Sequence, residues 1–236
     1  MPNLALIRRL RPSILLWLLA LPAMAAPASA AGTHLFPLER PASAPPEIAF
    51  DQDAVVVTGL APAAEVILHG VSRYRDTYYW AVLPTDEALT ADETGTVRYE
   101  VPHGLAPFSV WAAVDAATGA FAIGKPEGSV AREVPFPSDG LAQAPGGVVR
   151  GLHTSWERVE VLFVRPGAGA WRGIGLSGHE KAPPAGAEVD LASALPIQAA
   201  TAAPTAGLTP GDVVMAVNPS TLEYFAARLM PPGQQP

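Results

Sequence analysis

Thr96-Val97-Arg98-Tyr99-Glu100-Val101 decides the fold, because it alternates without a break: Val97, Tyr99 and Val101 fall on one face, Thr96, Arg98 and Glu100 on the other. Period two is the mark of a strand half-buried against a core. Arg158-Val-Glu-Val-Leu-Phe-Val164 opens in the same way, with Arg158 and Glu160 set against Val159 and Val161. Further out, Val55-Val-Val57, Glu65-Val-Ile-Leu68, Tyr78-Tyr-Trp-Ala-Val-Leu83, Phe108-Ser-Val-Trp-Ala-Ala-Val114 and Asp212-Val-Val-Met-Ala-Val217 are short runs rich in β-branched and aromatic residues. Gly, Pro, Asp or Asn bounds each run, and sustained helical periodicity is nearly absent. The pattern predicts an all-β protein built of antiparallel sandwiches.

The runs also recur in order. Ala64-Glu-Val-Ile-Leu68 is matched by Val159-Glu-Val-Leu-Phe163, Trp80-Ala-Val-Leu83 by Trp171-Arg-Gly-Ile174, and Ser109-Val-Trp-Ala-Ala-Val-Asp115 by Asp212-Val-Val-Met-Ala-Val-Asn218. Gly119-Ala-Phe-Ala-Ile123 then answers to Leu222-Glu-Tyr-Phe-Ala-Ala227. This internal repeat predicts two related β-sandwich domains, 47–134 and 148–230. The Pro/Gly-rich stretch 135–147 reads as a linker, the Ala/Pro-rich stretch 31–46 as a disordered tether, and 231–236 as a disordered tail. Leu195 to Gly211 has no apolar pattern and reads as a surface loop. Ser220-Thr-Leu-Glu223 has the spacing of a helix-capping box, yet the repeat favours a strand there. Trp80, Trp111, Trp156 and Trp171 are the expected core anchors, since large rings bury the most apolar area.

Two segments of the first domain, Val57-Thr-Gly-Leu-Ala-Pro-Ala-Ala-Glu-Val-Ile-Leu68 and Thr90-Ala-Asp-Glu-Thr-Gly-Thr-Val-Arg-Tyr-Glu-Val-Pro102, resemble bacterial immunoglobulin-like modules of exported and cell-surface proteins. The resemblance implies two tandem immunoglobulin-like antiparallel sandwiches with a supporting or adhesive role. It carries over no catalytic residues. The second domain lacks the Asp/Gly hairpin and has Pro183-Pro-Ala-Gly186 before Glu188.

The first thirty residues bear on location. Arg8, Arg9 and Arg11 precede the apolar run Ile14 to Leu21, and small residues follow at Ala23-Met-Ala25 and Ala28-Ser-Ala30. That is the order of a secretory signal peptide, residues 1–30, and it predicts a periplasmic or secreted protein with no stable membrane span after cleavage. An uncleaved anchor is the rival reading of the stretch from Pro12 to Ala31. The chain has no cysteine, so no disulfide braces it and no thiol acts as a nucleophile. Its formal charge of −7 becomes −10 once the three arginines of the signal segment are removed, and the remainder holds only Lys125 and Lys181 as lysines. Such an acidic chain is unsuited to nucleic acid, whose phosphates need clustered cations.

Chemistry-bearing patterns are sparse. The five histidines, His34, His69, His103, His153 and His179, show no close metal-ligand spacing, and no cofactor motif is present. Gly175-Leu-Ser-Gly-His179 departs from a nucleophile elbow, because the second glycine directly follows Ser177 and no helix is indicated after it. Asp51/Asp53, Asp86-Glu87 and Asp92-Glu93 sit in turn-like segments. The residues therefore point to a non-enzymatic structural or protein-binding module, with an envelope or extracellular protein or a glycan as partner. One alternative is carbohydrate or small-ligand binding through the aromatics Tyr74, Tyr78 and Tyr79. The other is a hydrolase built on the loop carboxylates.

Overall fold

The computed structural model describes residues 33–40, 46–74, 78–82, 89–102, 104–152, 156, 158–176, 187–197 and 207–234. The expected signal peptide lies outside the described residues, which all belong to one compact unit, Gly32–Pro236. Strands make up its regular structure. β1 (His34–Phe36), β2 (Leu38–Glu39), β3 (Glu47–Asp51), β4 (Ala54–Thr58), β5 (Glu65–Tyr74) and β6 (Tyr78–Val82) come first. β7 (Leu89–Thr90), β8 (Val97–Glu100), β9 (Ser109–Asp115), β10 (Phe121–Gly124), β11 (Arg132–Glu133), β12 (Leu141–Gln143) and β13 (Val148–Leu152) follow. The series ends with β14 (Arg158–Arg165), β15 (Gly169–Leu176), β16 (Ala187–Asp190), β17 (Leu195–Ile197), β18 (Val213–Val217) and β19 (Glu223–Leu229). Among the described residues, helical structure is confined to one 3₁₀ turn, Leu191–Ser193, and no helix is long and apolar enough to cross a membrane.

Four sheets result. In the first half, β3-β4-β8 form an outer sheet, and β10-β9-β5-β6 form an inner one to which β7 adds beside β5. In the second half, β12-β13-β16 form the outer sheet with β1 at its edge, and β19-β18-β14-β15 form the inner one. The second inner sheet is extended by β17 on β15 and by β2 and β11 on β19. Strand for strand, the two halves run through the same order. The four sequence matches fall on β5 and β14, β6 and β15, β9 and β18, and β10 and β19.

Each half buries its inner sheet against its outer one. In the first, Val66, Leu68 and Trp111 of the inner sheet meet Val55, Val57 and Val97 of the outer sheet. Gly70 is required there: a Cβ on it would stand 2.6 Å from the indole of Trp111, whose Nε1 donates to the Ser109 hydroxyl at 3.1 Å. In the second half, Val161, Phe163, Trp171 and Phe225 meet Leu141, Val149, Leu152 and Val189. Trp111, Trp156 and Trp171 are thus buried as expected, while the side chain of Trp80 lies outside the described residues.

The opposite faces of the two inner sheets bury each other. Ile67, Val71, Val110 and Val114 from the first half share a cluster with Leu162, Val164, Val213 and Met215 from the second. The layers therefore stack outer, inner, inner, outer. This explains why β9 and β18 are buried at every position and read as unbroken apolar runs, whereas β8, with one face in water, alternates. The outer faces end in exposed ion pairs: Arg98 with Asp51 and Glu100, each at 2.7 Å, and Arg150 with Glu188 at 2.8 Å.

Some stretches differ from their compositional reading. Within the expected tether, β1 pairs with β12 and β2 with β19, because Phe36 and Leu38 alternate into the core of the second half. Within the expected linker, Leu141 is fully buried and β12 joins the second outer sheet. In both places one or two apolar side chains per segment suffice, since a neighbouring edge supplies the backbone partners. The chain leaves the second half after β2 and returns on β11, and both strands pair with β19. Arg40 and Glu133 close that crossing at 2.5 Å. Glu223–Leu229 is a strand rather than a capped helix, for Tyr224 and Ala226 face one core and Phe225 and Ala227 the other.

Candidate functional site

The aromatics Tyr74, Tyr78 and Tyr79 lie on the β5–β6 hairpin, where Tyr74 stands opposite Tyr78 and Arg73 opposite Tyr79 in the register. Their side chains fall outside the described residues, as do Asp86, Glu87, His103, His153, Ser177 and His179 altogether. Asp92 closes a turn: its Oδ1 accepts from the Thr94 hydroxyl at 2.6 Å and from the Thr94 and Thr96 N–H groups at 2.8 and 3.0 Å. Those bonds, the Thr94 hydroxyl foremost, hold its carboxyl below the ordinary aspartate value. Asp51 is taken up by Arg98. Among the described residues, no three His, Asp or Glu side chains gather in a way that could hold a metal ion.

The structure brings together a different set. His69 on β5, Glu160 on β14 and Arg172 on β15 meet between the two inner sheets. Their positions follow from period two. His69 shares its face of β5 with Ile67 and Val71, Glu160 shares its face of β14 with Leu162 and Val164, and Arg172 lies on the same side of β15 as Ala170. His69 Nε2 lies 3.2 Å from Glu160 Oε1, and Arg172 Nε lies 3.0 Å from the same oxygen. The side chain of Glu160 is 0% exposed, that of His69 1% and that of Arg172 21%. Neither carboxylate oxygen of Glu160 makes an aligned hydrogen bond, nor do Nδ1 of His69 and Nε of Arg172. The contact is therefore chiefly Coulombic.

Glu160 was expected on the polar face of an alternating strand. It is buried because that face is covered by the other inner sheet. An ionised carboxylate there is tolerable only with its cation at hand, and removing one partner of such a buried pair costs about 3–5 kcal/mol. Glu160 is closed to solvent, and its contacts with His69 and Arg172 join β14 to β5 and β15. The one signal in the sequence was a charged residue inside an apolar run, Val159-Glu-Val-Leu-Phe-Val164, with His69 in a like position between Leu68 and Val71.

A second contact pins the same joint. The turn after β9 is shaped by Asp115, whose Oδ1 accepts from the N–H groups of Ala117 and Thr118 at 2.9 and 3.1 Å. Arg228 of β19 donates to the Gly119 carbonyl at 3.0 Å, and the Gly167 N–H donates to the Ala116 carbonyl at 2.7 Å. Gly119 has φ +70°, and a Cβ on it would stand 2.7 Å from Pro166, so the close approach and the left-handed backbone both call for glycine.

An open groove of about 740 Å³ in the second half is lined by Leu35, Leu38, Phe136, Asp139 and Gly233 among others. Its walls are mixed polar and apolar, and Asp139 is the charged side chain in them. No protein-family model matches this chain, and neither does any curated protein sequence or any solved structure.

Proposed function

We propose that this is an exported, non-enzymatic β-sandwich protein, periplasmic or secreted, whose two related immunoglobulin-like halves form one rigid structural or protein-binding body. The burial of His69 and Glu160 between the two inner sheets carries this reading. Two modules strung on a flexible linker would keep water between them, and a His69–Glu160 contact closed to solvent requires a lasting joint. The common strand order of the halves and the order of charged, apolar and small residues in 1–30 support the immunoglobulin-like and export parts of the proposal.

Two experiments test it. Fractionation of the tagged full-length chain should recover a protein lacking residues 1–30 outside the cytoplasm, and recovery of the intact chain in the cytoplasm would overturn the export reading. A panel of ester and glycoside substrates should return no turnover, whereas turnover removed by Asp92→Asn or Ser177→Ala would replace the scaffold with a hydrolase.

The register of the β5–β6 hairpin favours a second reading, since it sets Tyr74 beside Tyr78. In that reading the hairpin binds a glycan. Replacing both tyrosines with alanine should then abolish retention on a glycan column without lowering the melting temperature, and loss of folding instead would place them in the core.

A further inference from the structure

We infer that His69, Glu160 and Arg172 act as a register key, a conformational device that admits one alignment of the two inner sheets and rejects its neighbours. The central apolar strands of the joint discriminate weakly between alignments. β9 offers Val110, Ala112 and Val114, and β18 offers Val213, Met215 and Val217. On these two central strands the side chains are small or unbranched at their tips and repeat at every second residue, so a two-residue slip, about 7 Å, leaves apolar groups against apolar groups there. Shape is left to the larger Phe121 and Tyr224 of the same cluster. The charged set responds differently. The same slip carries His69 and Arg172, at 3.2 and 3.0 Å, away from a carboxylate with no exposure to water. A buried charge is far more sensitive to the loss of its partner than a methyl group is to a change of neighbour. The key is also asymmetric. In the sequence matches between the halves Val164 answers to His69 and Ala81 to Arg172, so the set occurs once, across the joint.

The inference rests on the two halves forming one rigid body, and the test separates the two ideas. The chain has no cysteine of its own, so spin labels placed at Glu93→Cys and Arg158→Cys, exposed at opposite ends of the two halves along the direction of β14, report a slip of one half past the other. In the otherwise unaltered full chain, electron–electron distance measurements should give one narrow peak. A broad native distribution overturns the rigid body itself.

With a narrow native peak in hand, the labelled variant His69→Leu/Glu160→Met/Arg172→Leu keeps the volume and removes every charge. It should fold with a melting temperature at or above that of the parent, while the single peak splits or shifts by several ångströms. If that variant does not fold, labelled Glu160→Gln, which keeps the shape of the side chain, is measured in the same way and should show a second population. An unchanged narrow peak in the folded variant overturns the key whether the melting temperature rises or falls, because the set would then contribute stability alone.

Discussion

The core inside the first sandwich and the core between the sandwiches are built from the same strands but solve different problems. On one face of β5 and β9, Leu68, Gly70 and Trp111 interlock: the indole lies against a residue without a side chain and fixes where the outer sheet sits. On the other face, Ile67, Val71, Val110 and Val114 meet a second sheet, and His69, Glu160 and Arg172 join the Arg228–Gly119 and Gly167–Ala116 bonds in holding the alignment. Among the described residues the joint holds 17 buried apolar side chains against nine inside the first sandwich, so it is a core in its own right. Shape decides the alignment of layers where a large ring has a matching gap. Where small side chains dominate the central strands, charge adds to shape.

The comparison can be broken at its strongest point first. Trp111→Ala empties the core within the first sandwich and should lower stability by about 3–5 kcal/mol in guanidinium unfolding. Met215→Ala, in the core between the sandwiches, should cost about 2–5 kcal/mol; a loss under about 0.5 kcal/mol, in the range of ordinary surface positions, would show that the joint is not packed as a core. Gly70→Ala presses a methyl group onto the Trp111 ring and should cost about 1–3 kcal/mol, and hydrogen exchange should quicken in β4 and β8 before β13 and β16.

Glu223 lies away from the joint. Burial pushes its carboxyl up, but Arg132 and the Trp156 N–H outweigh that and hold it below the ordinary glutamate value. A carboxylate depressed in the folded state stabilises above its unfolded value, and the benefit is lost as pH falls through the native one. Glu223→Gln should therefore cost about 1 kcal/mol near neutrality, with the gap between variant and parent closing in acid. The smallest effect is expected on the outermost face, where Arg98→Ala breaks exposed pairs with Asp51 and Glu100 and should change stability by less than about 0.5 kcal/mol.

Much of the fold was legible. Thr96–Val101 named a half-buried strand, one face of which is in water, and the apolar run within Ser109–Asp115 named a second strand. The same continuity carried a further message, that the inner sheets are covered on both faces, which only the packing makes plain. The short strands β1, β2 and β12 were hidden in Ala/Pro-rich surroundings, for their stability comes from the edges they pair with rather than from local propensity. The candidate site was the least legible part. Glu160 in an alternating run reads as a solvent-facing residue, and His69 reads as a lone histidine.

By itself, the order of residues determined strand-rich architecture, the positions of the long strands, the burial of Trp111, Trp156 and Trp171, and a chain without disulfides, because these depend on period, side-chain size and composition read locally. Tertiary structure alone decided that two inner sheets lie face to face, that residues 34–39 belong to the second half, and that His69 meets Glu160 and Arg172, far along the chain from it, between those sheets. Period two tells which residues share a face. Which surface covers that face is settled by the packing of whole sheets, and no local pattern encodes it.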